Sequence, residues 1–246
     1  VVALGYDAVE LFILDPYSTG IDWIAHQVDS RGLSVSALGP GLACYRNGWS
    51  FAHTDHEVRK LALIRVFDHI RLAAHWGASI DIGGIRARLA DDPELSRQQR
   101  EWVAECLRSC AQFAAPLGVS LAIEPLNRYE TNFINTVAEA LDFIEILDCP
   151  NVGLLLDVFH MNIEESSILD SIEEAKGRIL NVHLPDSNRR APGWGHLDLA
   201  KIVSKLEDVG YDRYLSMELL PIPNSEEAAR QALRYTRELL VGFPNP

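Results

Sequence analysis

An α/β fold, a (β/α)8 TIM barrel in one domain over residues 1–246, is the architecture that the sequence predicts, and three observations support it. Short apolar, β-rich runs alternate with amphipathic helical stretches throughout, which favours a parallel sheet covered by helices. The length of 246 residues is typical of one such barrel. Predicted helices end at Gly77, Gly118 and Gly210, each just before a predicted strand, and glycine often follows a helix in the left-handed conformation.

Seven runs have the length and composition of strands, and they cover residues 8–14, 33–39, 79–85, 119–125, 152–160, 179–186 and 214–220. Amphipathic helical stretches lie between them at residues 53–76, 97–117, 135–147, 197–209 and 225–240. No linker or low-complexity segment interrupts this alternation, so we expect a single domain.

The start of the chain bears on the strand count, because a closed barrel of this type has eight strands. Val1 to Gly5 has the pattern of the last turn of a helix and its cap. We therefore expect the first strand and most of a helix, ~20 residues or more, to be missing upstream. A seven-stranded variant is the alternative, although an open slot would expose two unpaired sheet edges.

Charge and composition limit the partners of the protein. The net charge of −13 disfavours a nucleic-acid partner, because an acidic surface repels phosphate. No apolar run reaches ~18 residues, and the first residues do not form a signal peptide, so we expect a cytoplasmic protein without a membrane partner. The four cysteines form no CxxC pair, which favours free thiols in a reducing compartment.

Four predicted strands carry side chains that bind metals well at or near their C-terminal ends. They are Glu124 in LAIEP, Asp157 in GLLLD, His183 in ILNVH and Glu218 in LSMEL. A charge at the end of a buried strand is costly unless it is paired or ligates a metal, and these strand ends converge on one face of a barrel. Three carboxylates and an imidazole suit one divalent cation, Mn²⁺ before Mg²⁺, Co²⁺ or Zn²⁺.

Four segments carry a family resemblance: EPLNRYETNFINT (124–136), DVFHMNIEE (157–165), NVHLPDSNRRAPGWGHLD (181–198) and SMEL (216–219). They resemble the xylose-isomerase-like TIM barrel superfamily and, within it, the ketose 3-epimerases of the D-tagatose/D-psicose group. The resemblance extends from about Gly5 to the C-terminus.

The resemblance implies an isomerase that inverts C3 of a free ketose through a cis-enediolate, with a small sugar as its partner and a homodimer or homotetramer as its assembly. The implied metal ligands are Glu124, Asp157, His183 and Glu218. The implied proton-transfer residues are Glu124 and Glu218, and the implied sugar contacts are Glu130, His160 and Arg189. The chemistry agrees, because a metal stabilises an enediolate and two carboxylates can exchange the roles of base and acid.

The loop residues are open to more than one interpretation. Trp194 either forms a wall of the sugar pocket or packs its Gly-flanked loop against the barrel. Arg189 could offset enediolate charge, but a surface arginine is the alternative. Asp198 is expected to cap the helix that begins near Leu199, and the role of His196 stays open.

Other functions remain possible on the same residues. An aldose–ketose isomerase of the hydroxypyruvate or pentose type, or a polyol dehydratase, would use the same metal and enolisation. A non-catalytic metabolite-binding module is a further alternative. A DNA-repair endonuclease with three zinc ions is disfavoured, because the strands ending near Gly39 and Gly84 offer no histidine. Pro221-Ile222-Pro223 offers no basic side chain for a phosphate, which favours a free sugar.

Overall fold

Seven parallel strands form a single sheet in which each strand pairs with the next one along the chain. The structure, a computed structural model, describes residues 1–18 and 20–241. Its strands are β1 (Ala8–Phe12), β2 (Ser34–Gly39), β3 (Ser79–Ile82), β4 (Leu121–Ile123), β5 (Val152–Asp157), β6 (Ile179–His183) and β7 (Leu215–Ser216). The sheet curls into a nearly closed barrel, in which Glu10 Oε1 on β1 lies 3.0 Å from His183 Nε2 on β6. The predicted fold class is confirmed.

Helices follow the strands and cover the outside of the barrel. They are α1 (Ile21–Asp29), α2 (Leu42–Asn47), α3 (His56–Trp76), α4 (Pro93–Ala114), α5 (Val137–Leu147), α6 (Val158–Glu164), α7 (Ile168–Glu174), α8 (Leu199–Asp208) and α9 (Ser225–Leu240). From α3 to α9, each helix begins after an Asp, Asn, Ser or Thr whose side chain accepts a backbone N–H of the first turn. Such a cap stabilises a helix by ~1 kcal/mol.

The core lies between this helical layer and the sheet, and it also fills the barrel. Strands β3, β4 and β5 are buried along their whole length, which explains their continuous apolar sequences. Strand β1 is only half-buried. No helix in the described ranges is both long and apolar enough to span a bilayer.

The observed strands are shorter than the predicted runs, and one boundary matters for the site. The predicted strand over residues 152–160 is wrong beyond Asp157, because Val158–Glu164 forms α6. Asp157 both ends the strand and caps the helix, since its Oδ1 accepts the N–H of Phe159 at 2.8 Å. His160 is therefore on a helix at the mouth of the barrel.

Four helices, α1, α2, α6 and α7, were not among the predicted stretches, and each has at most nine residues. The predicted left-handed glycines are confirmed, with φ of +66° at Gly77, +70° at Gly118 and +81° at Gly210. The predicted turn at the chain start is also present, because Val2–Leu4 forms a 3-10 helix and Gly5 follows it with φ of +95°.

Candidate metal centre and active site

The four predicted metal ligands meet at the C-terminal end of the barrel. Asp157 and His183 are the last residues of β5 and β6, Glu124 directly follows β4, and Glu218 lies two residues after β7. One ligand atom from each residue lies within 4.8 Å of the ligand atoms of the other three. Parallel strands bring their carboxyl ends to one face, so neighbouring strands place these side chains side by side.

The residues of this cluster fit a divalent cation. The buried atoms Asp157 Oδ2 and His183 Nδ1 have no hydrogen-bond partner in the described part of the chain. His183 Nδ1 lies 3.8 Å from Glu124 Oε1, 3.8 Å from Asp157 Oδ2 and 3.6 Å from Glu218 Oε2. A cation at ~2.0–2.6 Å from each donor would occupy the space between them and satisfy the unpaired atoms.

Burial and charge shift the pKa values of the two candidate proton-transfer residues in opposite directions. Burial raises the pKa of Glu124 well above its ordinary value, and the negative charge of Glu218 adds to this effect. Burial also opposes ionisation of Glu218, but His183 and Arg189 outweigh it and lower the pKa of Glu218. The two carboxyl groups therefore have different proton affinities although they share one site.

A buried carboxylate, that of Glu10, contacts His183 on the side of the ring opposite the four-residue cluster. Both oxygens of Glu10 lie 3.0 Å from His183 Nε2, and Asn181 Nδ2 donates to Glu10 Oε2 at 3.2 Å. Burial disfavours the imidazolium, but Glu10 outweighs it and raises the pKa of His183 well above its ordinary value. Next to Glu10, burial raises the pKa of Asp81 well above its ordinary value.

His160 on α6 directs one ring nitrogen into the site. Its Nδ1 accepts from Asn127, with the side-chain Nδ2 at 2.8 Å and the backbone N at 3.3 Å. The ring proton must then be on Nε2, which lies 3.8 Å from Glu124 Oε1 and 3.7 Å from Asp157 Oδ2. Burial lowers the pKa of His160, so this N–H belongs to a neutral ring.

Two loops close around the cluster and pair with each other. Arg189 Nη2 donates to Glu218 Oε2 at 2.6 Å, and Arg189 Nη1 donates to Glu130 Oε1 at 3.3 Å. Glu130 also accepts from Asn127 Nδ2 at 3.1 Å, so it faces the site from a loop and does not lie in the first turn of α5. Arg189 itself has φ of +58°, a left-handed conformation that is unusual for a residue with a side chain.

Asp186 anchors the loop that carries Arg189 and Trp194. Its carboxylate accepts the backbone N–H groups of Ser187 at 2.8 Å, Gly193 at 2.9 Å and Leu197 at 3.1 Å. Burial opposes ionisation of this carboxyl, but these bonds outweigh it and lower the pKa of Asp186. The Trp194 side chain is 36% exposed, and its part in a sugar pocket stays a prediction.

The remaining loop residues have structural partners. His196 Nδ1 lies 2.8 Å from Ser187 Oγ, inside the same loop. Asp198 caps α8 as expected, since its Oδ1 accepts the N–H of Lys201 at 3.2 Å. Neither contact reaches the metal cluster.

Sequence reasoning missed several residues that shape the site. Gly83 leaves room for a ligand, because a Cβ at this position would lie 2.3 Å from Glu124 Oε2. Arg86 is fully buried and donates to the carbonyl oxygens of Ile82, Glu124 and Phe133. Glu10 had a detectable signal, since it is a charge inside the apolar strand AVELF.

A parallel barrel with an acid–imidazole cluster at the carboxyl ends of its strands defines a class of α/β-barrel enzymes, and known proteins specify the family. A family model described as xylose isomerase-like TIM barrel matches residues 1–239. The D-psicose 3-epimerase of Enterocloster bolteae is 41% identical over 227 residues, which cover 89% of this chain and 74% of the relative. The L-ribulose 3-epimerase of Mesorhizobium japonicum is 34% identical over 215 residues, or 87% and 71% of the two chains.

A solved structure of the same group has a similar fold. The D-allulose 3-epimerase from Methylomonas sp. matches with a TM-score of 0.84 and 25% identity, over 97% of this chain and 88% of that chain. The chain therefore belongs to the xylose isomerase-like TIM barrel family, and the resemblance found in its motifs is confirmed. The expectation of an isomerase-class enzyme is confirmed as well, since these relatives are named L-ribulose 3-epimerase and D-psicose 3-epimerase.

Proposed function

We propose that this protein is a divalent-metal-dependent ketose 3-epimerase that acts on a free sugar. The observation that carries the proposal is the cluster of four ligand atoms within 4.8 Å of one another, two of which come from glutamates on well-separated strands. Glu124 follows β4 and Glu218 follows β7, so the two carboxylates approach a bound substrate from different sides of the barrel mouth. The names of the relatives support the same reaction class.

The proposed metal residues are Glu124, Asp157, His183 and Glu218, and Mn²⁺ is the first candidate. When bound, the cation supplies Lewis-acid stabilisation of the negative charge that develops on the substrate oxygens. Mg²⁺, Co²⁺ and Zn²⁺ are the other candidates. Metal analysis of the purified protein identifies which of these ions it carries.

The protein residues transfer two protons in the proposed reaction, one taken from C3 by an ionised glutamate and one delivered to C3 by the other glutamate, which starts protonated. One of the two glutamates removes the proton from C3, next to the C2 carbonyl, and leaves a cis-enediolate. The other glutamate delivers a proton to the opposite face of C3, and the roles exchange in the reverse direction. In the four-residue ligand set, Glu124 follows β4 and Glu218 follows β7, which are the first and last of the four strands concerned, while Asp157 lies between them on β5.

Three further side chains would bind and orient the sugar. Arg189 would place its guanidinium near O2, where it offsets the charge of the enediolate. His160 presents its Nε2–H to the site and would donate to a substrate oxygen, and Glu130 would accept from a sugar hydroxyl. Since Arg189 bonds both Glu218 and Glu130, a bound sugar would compete for these contacts.

Proton exchange at C3 tests the proposal directly. D-tagatose, D-psicose and L-ribulose are incubated with the protein in D₂O, with and without Mn²⁺, and followed by NMR. We expect metal-dependent appearance of the C3 epimer with deuterium at C3. Exchange at C1 with an aldose product would instead establish an aldose–ketose isomerase, and loss of water would establish a dehydratase. No turnover and no exchange with metal bound would favour a metabolite-binding module.

The variant Glu218→Gln tests the two-carboxylate scheme. It removes one proton-transfer group and should reduce the epimerisation rate by ~10²–10⁴-fold even when metal is saturating. Glu174→Gln is the matched control, because Glu174 is an exposed residue of α7. A Glu218→Gln variant that binds metal and keeps a rate near that of the unmodified protein would rule out the scheme.

A further inference from the structure

We propose that Glu10 is a positioning residue that fixes the ring of His183 so that Nδ1, and not Nε2, faces the metal. The inference rests on the proposed metal centre and extends it by a residue outside the ligand set. Its basis is a hydrogen-bond arrangement inside the barrel. Both oxygens of Glu10 lie 3.0 Å from His183 Nε2, on the side of the ring that points away from the other three ligands.

Glu10 is itself held in place. Its side chain is 9% exposed and lies on β1, and Asn181 Nδ2 donates to its Oε2 at 3.2 Å. Asn181 lies on β6 two residues before His183, so the same strand presents both the metal-facing imidazole and a donor that holds the carboxylate. The two contacts fix the carboxylate relative to the ring that it bonds.

A carboxylate in this position has two effects on a metal-binding imidazole. It keeps the ring proton on Nε2, which leaves the lone pair of Nδ1 free for a cation, and it prevents rotation of the ring. The buried, unpaired Nδ1 lies 3.6–3.8 Å from the three ligand carboxylates, as expected if Nδ1 is the ligand atom. Removal of such a partner typically weakens metal binding by ~10–100-fold.

The same interior residues allow a second interpretation. Glu10, Asp81 and His183 also offer ligand atoms within 4.8 Å of one another, as a second cation site would. That arrangement would require one imidazole to ligate two ions and lose both ring protons, whereas a carboxylate that accepts from Nε2–H requires neither. We therefore infer one cation per chain, and the stoichiometry becomes part of the test.

Calorimetric titration with Mn²⁺ tests the role of Glu10 without any substrate. We expect one Mn²⁺ per chain, with binding weakened by about tenfold in Glu10→Gln and by up to ~100-fold in Glu10→Leu. The amide oxygen of glutamine can still accept from Nε2–H, which explains the smaller loss. Ser36→Ala is the matched control, since Ser36 lies on the neighbouring strand β2 and its hydroxyl bonds the Val9 carbonyl instead of the imidazole. Its affinity should be unchanged.

The nitrogen shifts of the His183 ring provide a second readout that a purely structural role would not alter. In protein loaded with diamagnetic Zn²⁺ or Mg²⁺, ¹⁵N NMR should show a protonated Nε2 and a metal-bound Nδ1. In Glu10→Leu, the Nε2–H signal should lose its hydrogen-bonded shift or be replaced by a mixture of tautomers. A protonated Nδ1 in the unmodified, metal-loaded protein would overturn the inference.

Four further outcomes complete the test. Affinity within twofold of the unmodified protein in Glu10→Leu would overturn the inference, as would two bound cations of which one is lost in Glu10→Gln. If Glu10→Leu does not fold, the Mn²⁺ affinity of Glu10→Gln becomes the test. An affinity within twofold of that of the unmodified protein would then overturn the inference. Mn²⁺ binding that depends on Glu10, in a protein that epimerises no ketose, would contradict the proposed function and leave this inference in place.

Discussion

The close approach of Glu124 to Gly83 makes the proposed metal centre sensitive to a single added methyl group. A Cβ at position 83 would lie 2.3 Å from Glu124 Oε2, whereas real Cβ contacts under 3.0 Å essentially never occur. The oxygen would have to move by about 0.7 Å to reach 3.0 Å and by about 1.1 Å to reach 3.4 Å, where ordinary contact begins. Glu124 is buried, so its carboxylate cannot relieve this contact by moving into solvent.

The size of this shift determines the expected loss in Gly83→Ala. Catalytic groups have to be held within ~0.5 Å of their productive position, and a misplacement of ~1 Å can cost about 100-fold in rate. We therefore expect kcat/KM for epimerisation to fall by about 100-fold, equivalent to ~2.7 kcal/mol. Mn²⁺ affinity should fall by about tenfold or more, because Glu124 is one of the proposed ligands.

Gly41→Ala is the matched control for this prediction. Gly41 has φ of −54°, and a Cβ there would meet its nearest atoms at 3.9 Å, so alanine fits without displacement. Metal titration and kcat/KM are measured on both variants, with thermal unfolding to verify the fold. A Gly83→Ala protein with both values within twofold of Gly41→Ala would refute the steric argument.

Three other predictions follow from single contacts. Arg86→Met removes the side-chain donor of three buried carbonyl groups, of which, among the described residues, only that of Ile82 keeps another donor, the N–H of Glu124, so the free energy of unfolding in urea should fall by ~3–5 kcal/mol, while the exposed Arg88→Met should change it by less than ~0.5 kcal/mol. The folded state lowers the pKa of Asp186, so the ionised carboxylate stabilises the fold above the unfolded-state pKa near 3.8, and this stabilisation is lost as the pH falls through the lower folded value. The difference in unfolding free energy between the unmodified protein and Asp186→Asn should therefore shrink below about pH 4. A difference that does not depend on pH would contradict this prediction. Asn127→Asp replaces a donor with an acceptor, should move the His160 proton to Nδ1, and should raise KM by about tenfold with metal affinity unchanged; a KM within twofold would contradict the assigned tautomer.

The convergence of the four candidate ligands could be predicted from the sequence because its physical signal is local. A charged or imidazole side chain at the end of an apolar strand is costly to bury, and four such strands in succession are difficult to explain by packing. Parallel β-strands then bring their carboxyl ends together without any knowledge of loop structure. For this reason Asp157 and His183 could be assigned to one site although 26 positions separate them in the chain.

The rest of the site depends on relations that no local pattern encodes. Glu10 carries the same signal as Glu124, but its partner His183 lies five strands away along the sheet, and only the curvature of the sheet brings them together. Gly83 matters because of the side chain above it, and Arg86 because of carbonyl groups from three different segments. The strand that begins at Val152 was predicted too long, because apolar residues continue past its end into α6, where they are buried at the barrel mouth.

The contacts also separate the residues proposed to hold a metal from the residues that would select the sugar. The ligands lie at or near strand ends, where the pairing of β4 to β7 fixes their backbone. Glu130 and Arg189 instead lie on loops, and their positions depend on side-chain anchors such as Asn127 and Asp186. A change at Glu130 can therefore alter which ketose binds without moving the proposed cation, whereas a change such as Gly83→Ala acts on the chemistry whatever the sugar. Substrate preference and metal affinity should consequently respond to different sets of substitutions in this protein.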